Sequence, residues 1–174
     1  PIILFGGSIK LFVPYFFDHP DFAKTIAAVA KENTQHSPDH WLFSYHGLPV
    51  RQIQRNHKTK NCLRTQSCCE KISEWNQWCY RAQCFETTRR VVNELQLSIE
   101  QTTTSFQSRL GPTKWITPFT ENALKTLPSE HNVRRLNVLC PSFTTDCLET
   151  LEEIAIRGKE IFLQAGGKEF NVIP

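Results

Sequence analysis

Long apolar runs, a secretory signal and a strong net charge are all missing from this sequence. No window approaches the ~20 apolar residues that a membrane-spanning helix needs. The apolar start at 1–7 is too short for a signal peptide and has no charged leader. The net charge is only +3, and no basic face with interleaved aromatic residues stands out. A nucleic-acid partner is therefore not expected.

What is present is the composition of an ordinary globular protein. Hydrophobic residues make up 40% and charged residues 21% of the 174 residues, which is typical of one domain with a real core. The chain begins without methionine and ends at Pro174, just after the strand-like segment 169–172. We interpret it as a piece of a longer protein.

Cysteine is abundant, with seven residues. The number is odd and no secretory signal is visible, so a disulfide framework is not expected. Reduced thiols or metal ligands in a cytoplasmic protein fit better, with peripheral membrane contact left open. The seven are Cys62, Cys68, Cys69, Cys79, Cys84, Cys140 and Cys147.

Short β-type runs alternate with helical patterns along the chain. The predicted strands are 41–45, 102–107 and 136–140, and the predicted helices are 21–31, 81–95, 120–127 and 146–165. This alternation is typical of an α/β fold, a parallel sheet with helices on both faces. Residues 1–20 are predicted to be a linker into this domain. The polar segment 51–80, with four cysteines, is predicted to be an insertion between a strand and its helix.

Polar residues follow three predicted strands, at the edge where ligands bind in open parallel sheets. The first strand ends in His46 and the second in Gln107-Ser108-Arg109. The third runs through Cys140-Pro141-Ser142-Phe143 towards Asp146, at the start of the last predicted helix. We therefore expect an imidazole, an arginine and an acidic helix start near one cleft.

Simpler interpretations of these residues stay open at this point. His46, which precedes Gly47, is equally consistent with a turn residue. Asp146 and Glu149 fit a capping box, and at a helical period Glu149 and Glu153 lie on a solvated face. Like charges four residues apart, however, repel each other and destabilise an isolated helix. A cation bound between the two carboxylates would make their arrangement favourable. The opposite, apolar stripe would consist of Leu148, Leu151, Ile154, Ala155 and Phe162.

Five longer strings occur in order along the chain. They are VPYFFDHP (13–20), FSYHGLP (43–49), YRAQC (80–84), FQSRLGPTKW (106–115) and CPSFTTDCLETLEEI (140–154). Together they resemble the ferrochelatases, the enzymes that insert ferrous iron into protoporphyrin IX to form protohaem, the last step of haem biosynthesis. The resemblance implies a two-lobed α/β protein that holds the porphyrin between its lobes. Residues 21–174 would be the C-terminal, Rossmann-like lobe, and without the N-terminal lobe the fragment is expected to be inactive.

The resemblance also implies roles for the residues at the strand ends. His46 and Glu149 would be catalytic and would handle the metal: imidazole suits removal of the pyrrole protons, and both donors suit Fe²⁺. Asp146 and Glu153 would relay protons or metal, and Asp146 would also orient His46 or Glu149. The next position of this acidic series is Arg157, so either the series is shorter or Glu160 replaces it. The substrate pocket would include Tyr80, Ser108, Trp115 and Phe143.

The cysteine-rich insertion implies a cofactor. Cys62, Cys68, Cys69 and Cys79 lie within eighteen residues, in a C-x5-C-C-x9-C pattern that lacks the C-x2-C knuckles of zinc ribbons. Four thiolates are what a [2Fe–2S] cluster requires, and a subset of ferrochelatases carries one. Unrelated free thiols are the alternative. Cys140 and Cys147 are interpreted as packing residues.

Two other functions compete with the main one. The protein would be a chelatase for another tetrapyrrole or metal, such as coproporphyrin or cobalt, if the pocket differs in shape. It would be a non-catalytic metal-binding or iron–sulfur-binding domain if His46 or Glu149 were replaced, and both are present.

Overall fold

The computed structural model describes residues 2–5 and 8–11 as backbone strands, and residues 15–34, 36–55, 63 and 66–174. The elements are β1 (Ile2–Phe5), β2 (Ser8–Leu11), α1 (Pro20–Glu32), β3 (His40–His46), α2 (Val50–Arg55), α3 (Tyr80–Leu95), β4 (Thr102–Gln107), α4 (Thr120–His131), β5 (Arg135–Leu139), a π-helical segment (Glu149–Gly158), α5 (Lys159–Gln164) and β6 (Glu169–Val172). Two 3₁₀ turns, Gln66–Cys69 and Ile99–Gln101, complete the described structure.

The main sheet is parallel, with four strands in the order β4-β3-β5-β6. Strand β3 lies in its interior and is buried along its length, His46 excepted, as expected for a strand covered on both faces. The three strands predicted from the sequence are confirmed to within a residue or two. The antiparallel hairpin β1–β2 was not predicted, since residues 1–20 were interpreted as a linker.

Helices cover both faces of this sheet, as predicted. Alternate side chains of β3 face opposite sides: Trp41, Phe43 and Tyr45 pack with α1 and α3, while Leu42 packs with α4 and α5. Each face therefore has its own buried core, and the carboxyl edge of the sheet lies between the two layers. No helix of the described ranges is both long and apolar enough to cross a membrane.

The last helix differs from its prediction in start and in pitch. It begins at Leu148 without a side-chain cap, so the predicted capping box of Asp146 and Glu149 does not form. From Glu149 to Gly158 it is π-helical, and the Lys159 N–H accordingly bonds the carbonyl of Ile154, five residues back. Such a helix has more residues per turn than an α-helix. The stripe predicted at α-helical spacing is therefore wrong in part: Ile154 and Phe162 are buried, whereas Leu148 and Leu151 are exposed.

His40, at the amino end of β3, makes folding sensitive to acid. It is 8% exposed and its Nε2 bonds the Thr103 hydroxyl at 2.8 Å; burial, with His131 nearby, lowers its pKa to about 4. The unfolded chain takes up this proton near pH 6.5, so stability is full above that pH and falls as the pH drops towards 4. Urea unfolding should show about 2 kcal/mol less stability at pH 5 than at pH 7 from this residue. His40→Gln should remove this part of the stability loss between pH 7 and pH 5. If the variant lost as much stability as the wild-type protein over that range, His40 would not be the cause.

Candidate active site at the carboxyl edge of the sheet

The ends of β3 and β4 are locked together at the edge where the site was predicted. His46 pairs with Gln107 in the parallel register, and the Gly47 N–H donates to the Gln107 carbonyl at 2.7 Å. A Cβ at Gly47 would lie 2.6 Å from that carbonyl oxygen, closer than any side chain tolerates. Glycine is thus required here for close approach of two strands, and His46 is fixed at the strand end.

The His46 imidazole is held in one tautomer. Its Nδ1 lies 2.6 Å from the Gly47 carbonyl oxygen, and because a carbonyl only accepts, Nδ1 carries the proton. Nε2 is then the unprotonated nitrogen, with a lone pair that can accept a proton or bind a metal. The ring is half-buried and its centre lies 6.2 Å from that of Phe143, a predicted pocket residue.

Glu149 is held as a carboxylate near His46. A hydrogen bond from the Cys147 thiol, a backbone hydrogen bond and the proximity of His46 lower the pKa of Glu149, since all of them favour the charged form. The Gln107 side-chain amide donates to the main-chain carbonyl of Glu149 at 3.0 Å. Strand β4 therefore fixes the main chain of the first turn of the π-helical segment, from which this carboxylate extends.

Glu153 does not lie on a solvated face. The Ser108 N–H and hydroxyl both donate to its carboxylate, at 2.7 and 2.6 Å. Ser108 adopts a left-handed backbone (φ 65°), which few non-glycine residues adopt and which marks a constrained position. Ser108, Glu149 and Glu153 line one cavity of about 460 Å³. Two of the predicted acidic residues thus share one cavity.

The other predicted site residues make different contacts from those expected. Asp146 accepts a hydrogen bond from Thr150 at 3.2 Å, rather than orienting His46 or Glu149. Arg157 pairs with Glu152 at 2.7 Å.

Two aromatic residues that were predicted to line the pocket hold the loops around it. The Tyr80 hydroxyl donates to the His46 carbonyl at 2.9 Å, and the Trp115 indole N–H donates to the Leu110 carbonyl at 3.1 Å.

Three residues of this site have contacts that were not predicted from the sequence. Cys147 was interpreted as a packing residue, yet its thiol bonds Glu149. Gln107 bonds the π-helical segment, and the Ser142 hydroxyl accepts the His46 N–H at 3.2 Å. Gln107 and Ser142 follow predicted strand ends, which was the available signal, but their partners are distant in sequence. Cys147 and Glu149 are close in sequence, but a thiol beside an acidic residue has no distinguishing pattern.

The cysteine group of the insertion, here Cys68, Cys69 and Cys79, is buried beside α3. The Cys68 and Cys69 sulfurs are 3.6 Å apart, and a hydrogen bond with Cys79, together with burial, raises the pKa of Cys69 well above its usual range. Cys62, the fourth predicted ligand, lies outside the described residues. Within the described part of the chain, no three His, Cys, Asp or Glu side chains are arranged to hold a metal ion.

Comparison with known proteins shows which family the chain belongs to. The Ferrochelatase family model matches residues 9–174. The ferrochelatase of Ectopseudomonas mendocina is 41% identical over 163 residues, which are 93% of this chain and 48% of that protein. The ferrochelatase of Stutzerimonas stutzeri is 42% identical over 172 residues (97% and 50%), and that of Coxiella burnetii is 42% identical over 160 residues (91% and 45%). The chain spans about half the length of these relatives. Because the match extends over nearly the whole chain, the chain belongs to the ferrochelatase family.

Proposed function

We propose that the complete protein, of which this chain is the C-terminal lobe, inserts Fe²⁺ into protoporphyrin IX to form protohaem. The observation that carries the proposal is that His46, held through Nδ1 by the Gly47 carbonyl, and Glu149, whose main chain is bonded to Gln107, both lie at the carboxyl edge of the sheet, in a chain of this family. The N-terminal lobe of the same protein would close the pocket over the porphyrin. Fe²⁺ and protoporphyrin IX are both substrates.

The geometry suits the chemical demands of metallation. The incoming Fe²⁺ replaces the two protons of the pyrrole N–H groups, so a base is needed beside the macrocycle. His46 Nε2 can accept such a proton, and Glu149 can attract the dication and share its coordination shell while water leaves. Glu153, fixed by Ser108 in the same cavity, would pass the proton or metal on. The series would end there, because the next position is occupied by the Arg157–Glu152 ion pair.

A substrate panel tests this function. The complete protein should form haem from Fe²⁺ and protoporphyrin IX, with a higher kcat/KM than for coproporphyrin or for Co²⁺. A reversed preference would favour a chelatase for another tetrapyrrole or metal. No metallation of any porphyrin would leave a non-catalytic domain.

We also propose that Cys62, Cys68, Cys69 and Cys79 bind a [2Fe–2S] cluster. The donor chemistry fits: Cys68, Cys69 and Cys79 are buried thiols, the first two with sulfurs 3.6 Å apart, and thiolates are the usual ligands of such clusters. The six cysteines of the described ranges form no disulfide, consistent with a cytoplasmic location. Contact with the membrane would be peripheral.

Cysteine substitutions should separate ligands from bystanders. Protein purified without oxygen should be reddish, with about two acid-labile sulfides per chain, and Cys69→Ser should bleach it. Cys84→Ser is the matched control, because Cys84 is equally buried on α3 but is not a proposed ligand. Colourless protein with stoichiometric zinc would indicate a zinc site instead, and colourless metal-free protein would leave free thiols.

A further inference from the structure

The His46 backbone is held by side chains from two other elements. The Tyr80 hydroxyl donates to the His46 carbonyl at 2.9 Å, and the Ser142 hydroxyl accepts the His46 N–H at 3.2 Å. The His46 carbonyl and the Gly47 N–H belong to one planar peptide unit, and that N–H is bonded to Gln107. Tyr80 and Gln107 therefore fix the two ends of the same rigid plane.

This peptide plane determines where the imidazole points. The ring is tied through Nδ1 to the Gly47 carbonyl, which directly follows the plane. A tilt of the plane would move the ring with it, and would change the direction of the Nε2 lone pair. The Tyr80 hydroxyl thus acts on the proposed base without touching the reacting atoms.

The same tyrosine is joined to the cysteine group. Tyr80 is the first residue of α3 and follows Cys79, which is 2% exposed. Cys79 is hydrogen-bonded to Cys69, and one turn further along α3 the Cys84 thiol interacts with the Tyr80 hydroxyl. A change in the cysteine group therefore acts on the first turn of α3, where the Tyr80 ring is anchored.

We propose that Tyr80 is a positioning residue that couples the cysteine group to the orientation of His46. The inference rests on the proposed function, in which His46 is the base at the porphyrin. It assigns the insertion a role in the site: the state of its thiols is transmitted through the Cys79–Tyr80 peptide link at the start of α3 and through the Tyr80–His46 hydrogen bond. For this role, Tyr80 does not need to bind porphyrin or iron.

A double-mutant cycle in the complete protein tests the coupling. Tyr80→Phe should lower kcat about tenfold while KM for both substrates stays within about twofold, because only orientation is lost. Cys69→Ser should lower kcat in the wild-type background but add little in the Tyr80→Phe background, as expected for coupled residues. Tyr45→Phe is the matched control: Tyr45 is buried and bonds Thr88 at 3.0 Å, so its effect should add to that of Cys69→Ser.

A spectroscopic signal gives a second measurement that does not depend on turnover. The carbonyl ¹³C resonance of His46, assigned by its loss in His46→Gln, should shift in Tyr80→Phe and in Cys69→Ser, but not in Tyr45→Phe. Additive kcat effects, or a resonance that Cys69→Ser leaves in place, would overturn the coupling. If the complete protein metallated no porphyrin, the proposed function would fail, and if His46→Ala stayed active, His46 would not be the base. In either case the carbonyl shift would still decide whether Tyr80 links the cysteine group to His46.

Discussion

Replacing His46 by alanine in the complete protein should reduce kcat for haem formation by at least about 100-fold, the scale of a lost general base. The structure gives the reason: the Gly47 carbonyl holds the proton on Nδ1 and leaves Nε2 as the acceptor. His40, the other imidazole on this strand, cannot replace it, because His40 lies at the amino end of the strand and His46 at the carboxyl end. The measurement is steady-state kcat with protoporphyrin IX and Fe²⁺.

His40→Gln provides the control for this experiment. It removes an imidazole from the same strand without touching the carboxyl edge, so it should leave kcat within about twofold at neutral pH. A His46→Ala enzyme that retained kcat within about tenfold, or ~1.4 kcal/mol of barrier, would show that His46 is not the essential base.

Glu149→Gln should lower kcat by a similar factor, about 100-fold, because the amide keeps the size of the side chain but loses the charge that attracts Fe²⁺. Glu152→Gln is the matched control on the same helix turn. Its carboxylate is already paired with Arg157 at 2.7 Å, so its loss should change kcat by no more than about threefold. Equal losses in the two variants would mean that the overall charge of the helix, rather than one carboxylate, was being measured.

The sheet, and the edge at which the candidate site lies, were predictable from the sequence because both depend on local signals. The strands can be recognised as short runs of apolar or β-branched residues. The polar residues at their ends, His46 and Gln107-Ser108, lie where parallel strand ends meet. The parallel pairing of β3 with β4 then brings these residues together without further information.

The last helix was less predictable because its pitch depends on tertiary contacts. An α-helical period placed Glu153 in solvent, but the π-helical segment and the left-handed Ser108 bring its carboxylate against the end of β4. Cys147 was assigned to packing for a similar reason, since a thiol near an acidic residue has no pattern that distinguishes it from a core residue. The Glu153 contact joins residues 45 positions apart, and the Cys147 contact with Glu149 depends on how the π-helical segment begins. Neither contact leaves a periodic signal.

The insertion shows a different limit. Density of cysteine indicates a shared site, and Cys68, Cys69 and Cys79 are indeed neighbours. The sequence spacing of cysteines does not determine which thiols bind the same ion or cluster. Because Cys68 and Cys69 are adjacent, both can bind one cluster only if the backbone bends between them. The 3₁₀ turn Gln66–Cys69 supplies such a bend.

A single-turnover experiment tests the central claim most directly. The complete protein, saturated with protoporphyrin IX without oxygen, is mixed with Fe²⁺ while porphyrin absorbance and proton release are followed together. Free porphyrin should be converted to haem with two protons released per porphyrin, and His46→Ala should slow both signals equally. Porphyrin that stays metal-free in the wild-type protein, or metallation at the wild-type rate in His46→Ala, would contradict it.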